Sequence, residues 1–347
     1  MKIAIGMKIQ DKAFGGGNQF GKYLSTYLIQ SGHQVCFDLC EPDIDIVLMT
    51  DPRSHLSSVS FGAIEIMRYV SGVNSKAILI QRINECDERK GTMFVNKQLS
   101  LANSIMDHTV YVATWLVDLF KKQGLVFTQN FSIIKNGADP SVFTYEQKKI
   151  DETRKIKLVT HHWSSNKMKG WDVYSTIDKM LDEQTFSSRF EFHYIGNAPK
   201  DIFIRNIIVH KPSVGVELAT LLKQCDIYIS ASINEPAGMH HIEGALCGLP
   251  ILYRNSGALP EYCEGFGVEF NGPNDIYLAI DRLVKDYDVY VNRLKEYKNT
   301  SDVMCASYLN LFERLIKNRD EILQKRVKNK FGLIQKYKMF FFSLFEM

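Results

Sequence analysis

One pattern runs through this chain twice. Short runs of β-branched and aliphatic residues alternate with longer amphipathic stretches, first over residues 2–135 and again over 157–287. Strands are predicted at 2–7, 34–38, 44–50, 77–80, 109–112 and 132–135, with helices at 17–30, 92–106 and 114–122 among them. The second series has strands at 157–161, 190–195, 207–209, 227–230, 251–253 and 268–270, and helices at 170–182, 216–224, 238–247 and 275–287. Parallel strands need long crossovers, and alternation of this kind means a parallel sheet covered on both faces. The expected fold class is therefore α/β, with two Rossmann-like doubly wound domains facing a cleft. Such sheets bind ligands beyond the carboxyl ends of their strands.

The polar stretch 145–157 (YEQKKIDETRKIK) has little to bury and reads as the linker. It suggests domains at 1–147 and 148–315, with 316–347 set apart as a terminal helix and tail. The longest predicted helix covers 301–330.

Charge separates the same parts. The 347 residues carry 42 basic and 39 acidic side chains, a net charge of +3 that excludes a strongly basic nucleic-acid binder. Residues 317–347 alone carry +5 and the remainder −2. Within 325–347, cations precede Phe331, Tyr337, Phe340, Phe341, Phe342 and Phe345. Two readings stand for this segment: an element lying on an anionic membrane surface, or a terminal helix packing its aromatics as core. The seven cysteines are scattered, with no C-x-x-C, which suits a reducing cytosol. The N-terminus reads as a strand rather than a signal peptide, and no apolar run reaches the roughly 20 residues needed to span a bilayer.

Four features invite chemistry that their context does not by itself establish. Gly16 to Lys22 fits the phosphate loop G-x-x-x-x-G-K, but Tyr23 stands where a magnesium-ligating Ser or Thr belongs. Gly15-Gly16-Gly17 before a helix has two readings, an anion site made of amide N–H groups or a plain tight turn. Asp43-Ile44-Asp45 opens an apolar strand and reads as a solvated strand edge. His161-His162 and His240-His241 are adjacent pairs whose side chains point in different directions, so neither pair chelates a metal alone. No zinc motif occurs, and no metal site is expected.

The informative segment is 230–261, S-A-S-I-N-E-P-A-G-M-H-H-I-E-G-A-L-C-G-L-P-I-L-Y-R-N-S-G-A-L-P-E. Pro236 favours a helix start beside it. Glu235 would then sit at the helix mouth and Glu243 about 12 Å further along the axis. Carboxylates accept hydrogen bonds from sugar hydroxyls, and N–H groups of Gly238, Met239 and His240 could meet an anion between them.

This segment resembles the E-x7-E region of the retaining nucleotide-sugar glycosyltransferases of the GT-B fold, glycosyl transferase group 1, family four. The resemblance extends to Asn136-Gly-Ala-Asp139-Pro-Ser-Val-Phe143, to 113–120 (ATWLVDLF), to Lys169-Gly170-x-Asp172, and to the glycine loop followed by Ser31-Gly-His33-x-Val35. It covers residues 1 to about 315.

The resemblance implies that Glu235 holds hydroxyls of the donor sugar and Glu243 the ribose of the nucleotide. It implies that Lys169 neutralises the departing diphosphate, assisted by amides of Gly16, Gly17 and Gly238 to His240 in place of a metal. No cofactor is implied beyond the nucleotide-sugar co-substrate. Gly196 and Met239 fall in the nucleotide pocket. The sequence departs from the family at Ser164, where an Arg is usual, and that loses a cation and a bidentate donor. Lys167 could compensate, or Ser164 and Asn166 could serve as neutral donors. On the acceptor side, the loop Gln81 to Gly91 carries Asn84, Glu85 and Asp87. Asp87 could orient or deprotonate an acceptor hydroxyl, or the loop could be a salt-bridged surface.

The expected function is transfer of a sugar from a UDP- or GDP-sugar, with retention, to a glycan or lipid-linked acceptor. The expected setting is surface polysaccharide or lipopolysaccharide biosynthesis in the cytoplasm, on the inner face of the cell membrane. The alternative is a non-catalytic nucleotide-sugar or glycan-binding protein on the same fold.

Overall fold

The structure is a computed structural model and describes residues 1–10, 15–125, 127 and 130–329. Two six-stranded sheets form, and every strand pair in both is parallel. The first sheet contains β1 (Lys2–Ile5), β2 (Gln34–Cys36), β3 (Ile46–Met49), β4 (Ile78–Ile83), β5 (His108–Tyr111) and β6 (Phe131–Ile133), in the order β2-β1-β3-β4-β5-β6. The second contains β7 (Ile156–His162), β8 (Phe190–Gly196), β9 (Ile208–His210), β10 (Ile227–Ser230), β11 (Ile251–Arg254) and β12 (Gly267–Phe270), in the order β12-β11-β10-β7-β8-β9. The α/β class and the doubly wound character of each half are as the alternation predicts. Central strands such as β3 and β4 are buried along their whole length, as strands covered on both faces must be.

The chain divides into two compact units. The first is Met1–Asp11, Gly17–Lys135 and Asp302–Met347, and the second is Lys12–Gly16 with Asn136–Ser301. The division differs from the predicted one at 147 and 315. Asn136 donates its backbone N–H to Tyr262 Oη (2.8 Å) and its side-chain Nδ2 to the Ala237 carbonyl (2.7 Å), so it already belongs to the second unit. Gly137 explains its own residue type: a Cβ there would lie 2.0 Å from the Thr300 carbonyl oxygen.

The predicted 301–330 helix is two helices, Ser301–Lys317 and Arg319–Asn329. The first of them buries Met304, Cys305, Tyr308, Leu311, Phe312 and Leu315 in the same core as Ile3, Ile5, Phe20, Leu24, Ile46 and Ile78. This burial is why 302–329 belongs with the first unit rather than standing apart. The predicted 92–106 helix is likewise shorter, Val95–Asn103, and is preceded by the turn of helix Asp87–Lys90, which ends at Gly91 with φ 68°. Most of the basic aromatic segment 325–347 lies outside the described residues. Among the described residues no helix is long and apolar enough to cross a membrane.

Candidate active site

The second unit gathers its polar side chains where β7 and β10 end. β7 finishes in His161-His162, and the chain passes through a short 3-10 turn, Lys167–Lys169, before helix Trp171–Met180. Asn166 shapes that turn by accepting the Met168 N–H (2.8 Å). Gly170 has φ 101°, and a Cβ there would lie 2.4 Å from that of Ala231. Only glycine combines that backbone with that contact. The Ile233 N–H donates to the Met168 carbonyl (2.8 Å). Lys169 is thereby fixed against the exit of β10, and its Nζ lies 3.0 Å from Glu235 Oε2.

The segment after β10 departs from expectation. The helix predicted at 238–247 is found at His240–Leu246, so it starts after Pro236 rather than beside it. Glu235 is in the loop before it and Glu243 is in its first turn, so the two are not spaced along one helix. The cause is local. Asn234 takes a left-handed conformation (φ 50°), its N–H bonds Ser256 Oγ (2.8 Å), and the Glu235 carbonyl accepts the Ala258 N–H (2.8 Å). This clasp holds 234–235 in a non-helical path. Gly238 closes the loop, since a Cβ there would lie 2.3 Å from the His240 ring and 3.2 Å from the Glu235 carboxyl carbon. Met239 caps the helix and is buried.

Both carboxylates are buried, Glu235 at 5% and Glu243 at 7% exposure, so each needs a donor. Glu235 has Lys169. Glu243 Oε2 lies 2.6 Å from His161 Nε2. His161 Nδ1 in turn lies 3.1 Å from Tyr228 Oη. His240 Nε2 bonds Ser230 Oγ (2.8 Å), and burial, reinforced by His241 and Lys169, holds its pKa well below the ordinary value, so it is neutral. Burial pushes His241 down to about 3. His162 turns to the other side of β7 and bonds Tyr174 Oη (2.9 Å). Among the described residues no group of three His, Cys, Asp or Glu side chains could hold a metal ion.

The remaining predicted residues take separate places. Gly196 (φ 139°) ends β8, and a Cβ there would lie 1.9 Å from the His162 carbonyl oxygen, so it serves close strand packing. Ser164 is exposed and accepts the Asn166 N–H (3.2 Å). Lys167 is exposed and paired with Asp201. Asp172 of the K-G-x-D motif pairs with Arg254 (2.8 Å). Gly16 and Gly17 are the first residues of helix Gly16–Gln30.

In the first unit, Asp87 organises its own loop. Oδ1 accepts from Thr92 Oγ1 (2.5 Å) and the Val95 N–H (2.9 Å), and Oδ2 from the Asn96 N–H (3.0 Å). Glu85 pairs with Arg53 (3.3 Å) and Lys90 (2.5 Å). Asp43 pairs with Lys2, and Asp45 accepts the Lys2 N–H (2.9 Å) and pairs with Arg319.

Residues 203–301 match the model of the family glycosyl transferases group 1. A glycosyltransferase from Rickettsia africae shares the fold at TM-score 0.66 and 12% identity, over 91% of this chain and 98% of that one. Anabaena Alr3699/HepE in complex with UDP-glucose matches at TM-score 0.67 and 11% identity, over 91% and 100%. The chain has the GT-B fold of these proteins, and its residues 203–301 carry a group 1 segment. An uncharacterized 41.2 kDa protein in the cps region of Klebsiella pneumoniae is 26% identical over 124 residues, which are 33% of this chain and 34% of that protein. The chain thus matches about a third of the length of this curated relative. The family segment holds Glu235, Gly238, Met239, His240 and Glu243, while Lys169 precedes it.

Sequence reasoning missed His161, Tyr228, Ser230 and Arg254. The two histidine pairs were visible, but adjacency tested them only as metal ligands. The contact of His161 with Glu243 spans 82 residues and leaves no local spacing signal.

Proposed function

We propose that this chain is a glycosyltransferase that moves a hexose-type sugar from a UDP- or GDP-sugar to a glycan or lipid-linked acceptor, with retention at the anomeric carbon. The observation that carries the reading is the pairing of Lys169 with the buried Glu235, 3.0 Å apart, in the unit that bears the group 1 segment. Glu235 receives hydroxyls of the donor sugar and Glu243 a ribose hydroxyl, both as acceptor-only groups. Lys169 neutralises the diphosphate as it departs, with amides of Gly238 to His240 beside it, and no metal is required. Ser164 leaves this charge with one cation fewer than the family pattern. Retention follows by front-side displacement, without a protein nucleophile.

The reaction serves surface polysaccharide or lipopolysaccharide assembly at the cytoplasmic face of the membrane. The cationic and aromatic segment 325–347, apart from the buried Arg326, docks there on anionic lipid. Sedimentation with anionic liposomes tests that docking: it should fall when 331–347 is deleted, and unchanged sedimentation refutes it.

Turnover assays with UDP- and GDP-sugars test the reaction itself. Glu235→Ala and Lys169→Ala should each abolish transfer and donor hydrolysis while the fold persists, and full turnover in either overturns the assignment. Ser164 supports a second reading, a non-catalytic nucleotide-sugar or glycan-binding protein. Donor binding with no turnover in the unsubstituted chain would favour it.

A further inference from the structure

His161, Tyr228 and Glu243 form a chain of hydrogen bonds whose polarity is set by the acceptor-only carboxylate at its end. The His161 N–H donates to Tyr228 Oη (3.2 Å), which leaves the phenol hydrogen to point elsewhere. His161 Nδ1 lies 3.1 Å from the same Oη; with Nε2 facing the acceptor-only carboxylate of Glu243, Nδ1 is left to accept the phenol hydrogen. An imidazole that accepts at Nδ1 carries its hydrogen on Nε2. That nitrogen is 2.6 Å from Glu243 Oε2, and it donates. The chain runs Tyr228 O–H to His161, then His161 Nε2–H to Glu243. Its three members are buried, and Tyr228 is wholly so.

Packing holds this geometry. Gly244 follows Glu243, and a Cβ there would lie 2.4 Å from the Tyr228 ring. Glycine thus lets helix His240–Leu246 settle on β10, which brings Glu243 to His161. The His161 ring also meets Tyr228 edge-on, with centroids 5.6 Å apart. Glu243 therefore has one oxygen committed. Among the described residues no protein donor is seen at Oε1.

We propose that His161, oriented by Tyr228, is a positioning residue that turns Glu243 Oε1 toward the ribose of the nucleotide. The inference rests on the assignment of Glu243 to the ribose under the proposed function. Without the imidazole, the carboxylate would have to find its donors elsewhere in a buried site, and its orientation would no longer be set. Selection for a ribose over a sugar without hydroxyls then depends on His161 as much as on Glu243.

The test is calorimetric titration of the full chain with UDP and GDP, and with the 2′,3′-dideoxy form of whichever binds. Donor KM and kcat are measured alongside. A charge-assisted hydrogen bond corresponds to roughly tenfold in affinity. The unsubstituted chain should bind the ribonucleotide about tenfold more tightly than its dideoxy form. His161→Leu should lose that discrimination and raise donor KM with little change in kcat. His161→Gln keeps an N–H donor and should restore most of it. Tyr228→Phe keeps the packing, removes only the orienting hydroxyl, and should weaken the discrimination. It carries the test if His161→Leu does not fold. Undiminished discrimination in a folded His161→Leu, or in Tyr228→Phe where His161→Leu does not fold, overturns the positioning role alone. Absence of nucleoside diphosphate binding by the unsubstituted chain overturns the glycosyltransferase reading and this inference with it.

Discussion

Lys169 Nζ stands 3.0 Å from Glu235 Oε2 where β7 and β10 end, with Glu235 buried and Lys169 half-buried. Breaking one side of such a pair leaves an uncompensated charge, at a cost of about 3–5 kcal/mol. Lys169→Met should therefore lower stability as well as turnover. Adding Glu235→Gln in the same chain removes the stranded charge and should recover stability but not activity. Urea denaturation beside a transfer assay separates the two effects. A double variant no more stable than Lys169→Met would show that the pair does not hold the site together.

Gly257 sets the backbone of Glu235 from outside. It adopts φ 64°, and a Cβ there would lie 2.4 Å from both the nitrogen and the carbonyl oxygen of Glu235. Gly257→Ala must strain the turn or push 234–235 away, since left-handed backbone alone costs an L-residue about 1–2 kcal/mol. We expect lower stability and a fall in kcat from displacement of the carboxylate. A variant with unchanged thermal midpoint and kcat would refute the clasp.

His241 is fully buried, and among the described residues no protein group hydrogen-bonds either ring nitrogen. Burial lowers its pKa to about 3, whereas an unfolded histidine titrates near 6.5. Between those values the unfolded chain binds a proton that the folded chain does not, so stability rises with pH there. The contribution is complete above about pH 6.5 and is lost as pH falls toward 3, with a slope approaching about 1.4 kcal/mol per pH unit. His240 acts in the same direction. His241→Phe should make the decline between pH 6 and 4.5, as chosen assay points, shallower than in the unsubstituted chain. Equal slopes in denaturation at both pH values would disprove this.

Local periodicity carried the fold: each predicted strand has its counterpart in one of the two parallel sheets. What it could not carry was set by distant partners. Pro236 is a sound local signal for a helix start, yet Gly257 and Ala258 hold Glu235 out of the helix from more than 20 residues away. The polar stretch near 147 looks like a boundary, but Asn136 is claimed by Tyr262, 126 positions along. The paired site residues Lys169 and Glu235 were legible because each sits in its own short motif. His161 has no motif, and only the approach of two elements across the sheet gives it a role.

The same distance problem hides Arg326, whose position in a run of cations suggests a solvated charge. It is buried instead, with Nε 3.0 Å from Asp107 Oδ1 and Nη1 and Nη2 bonded to the Ser75 (2.9 Å) and Ala77 (2.7 Å) carbonyls. Asp107 also accepts the Leu79 N–H (2.8 Å), so the guanidinium ties helix Arg319–Asn329 to the start of β4. Arg326→Met strands the Asp107 carboxylate and two carbonyl groups in a dry setting, and should cost about 3–5 kcal/mol. Its neighbour Lys325 makes only an exposed pair with Glu321, and Lys325→Met should leave the unfolding midpoint unmoved. Urea denaturation of both variants decides the matter. If they behave alike, the terminal helix is not pinned through Arg326, and the cations at 325 and 326 share one solvated role.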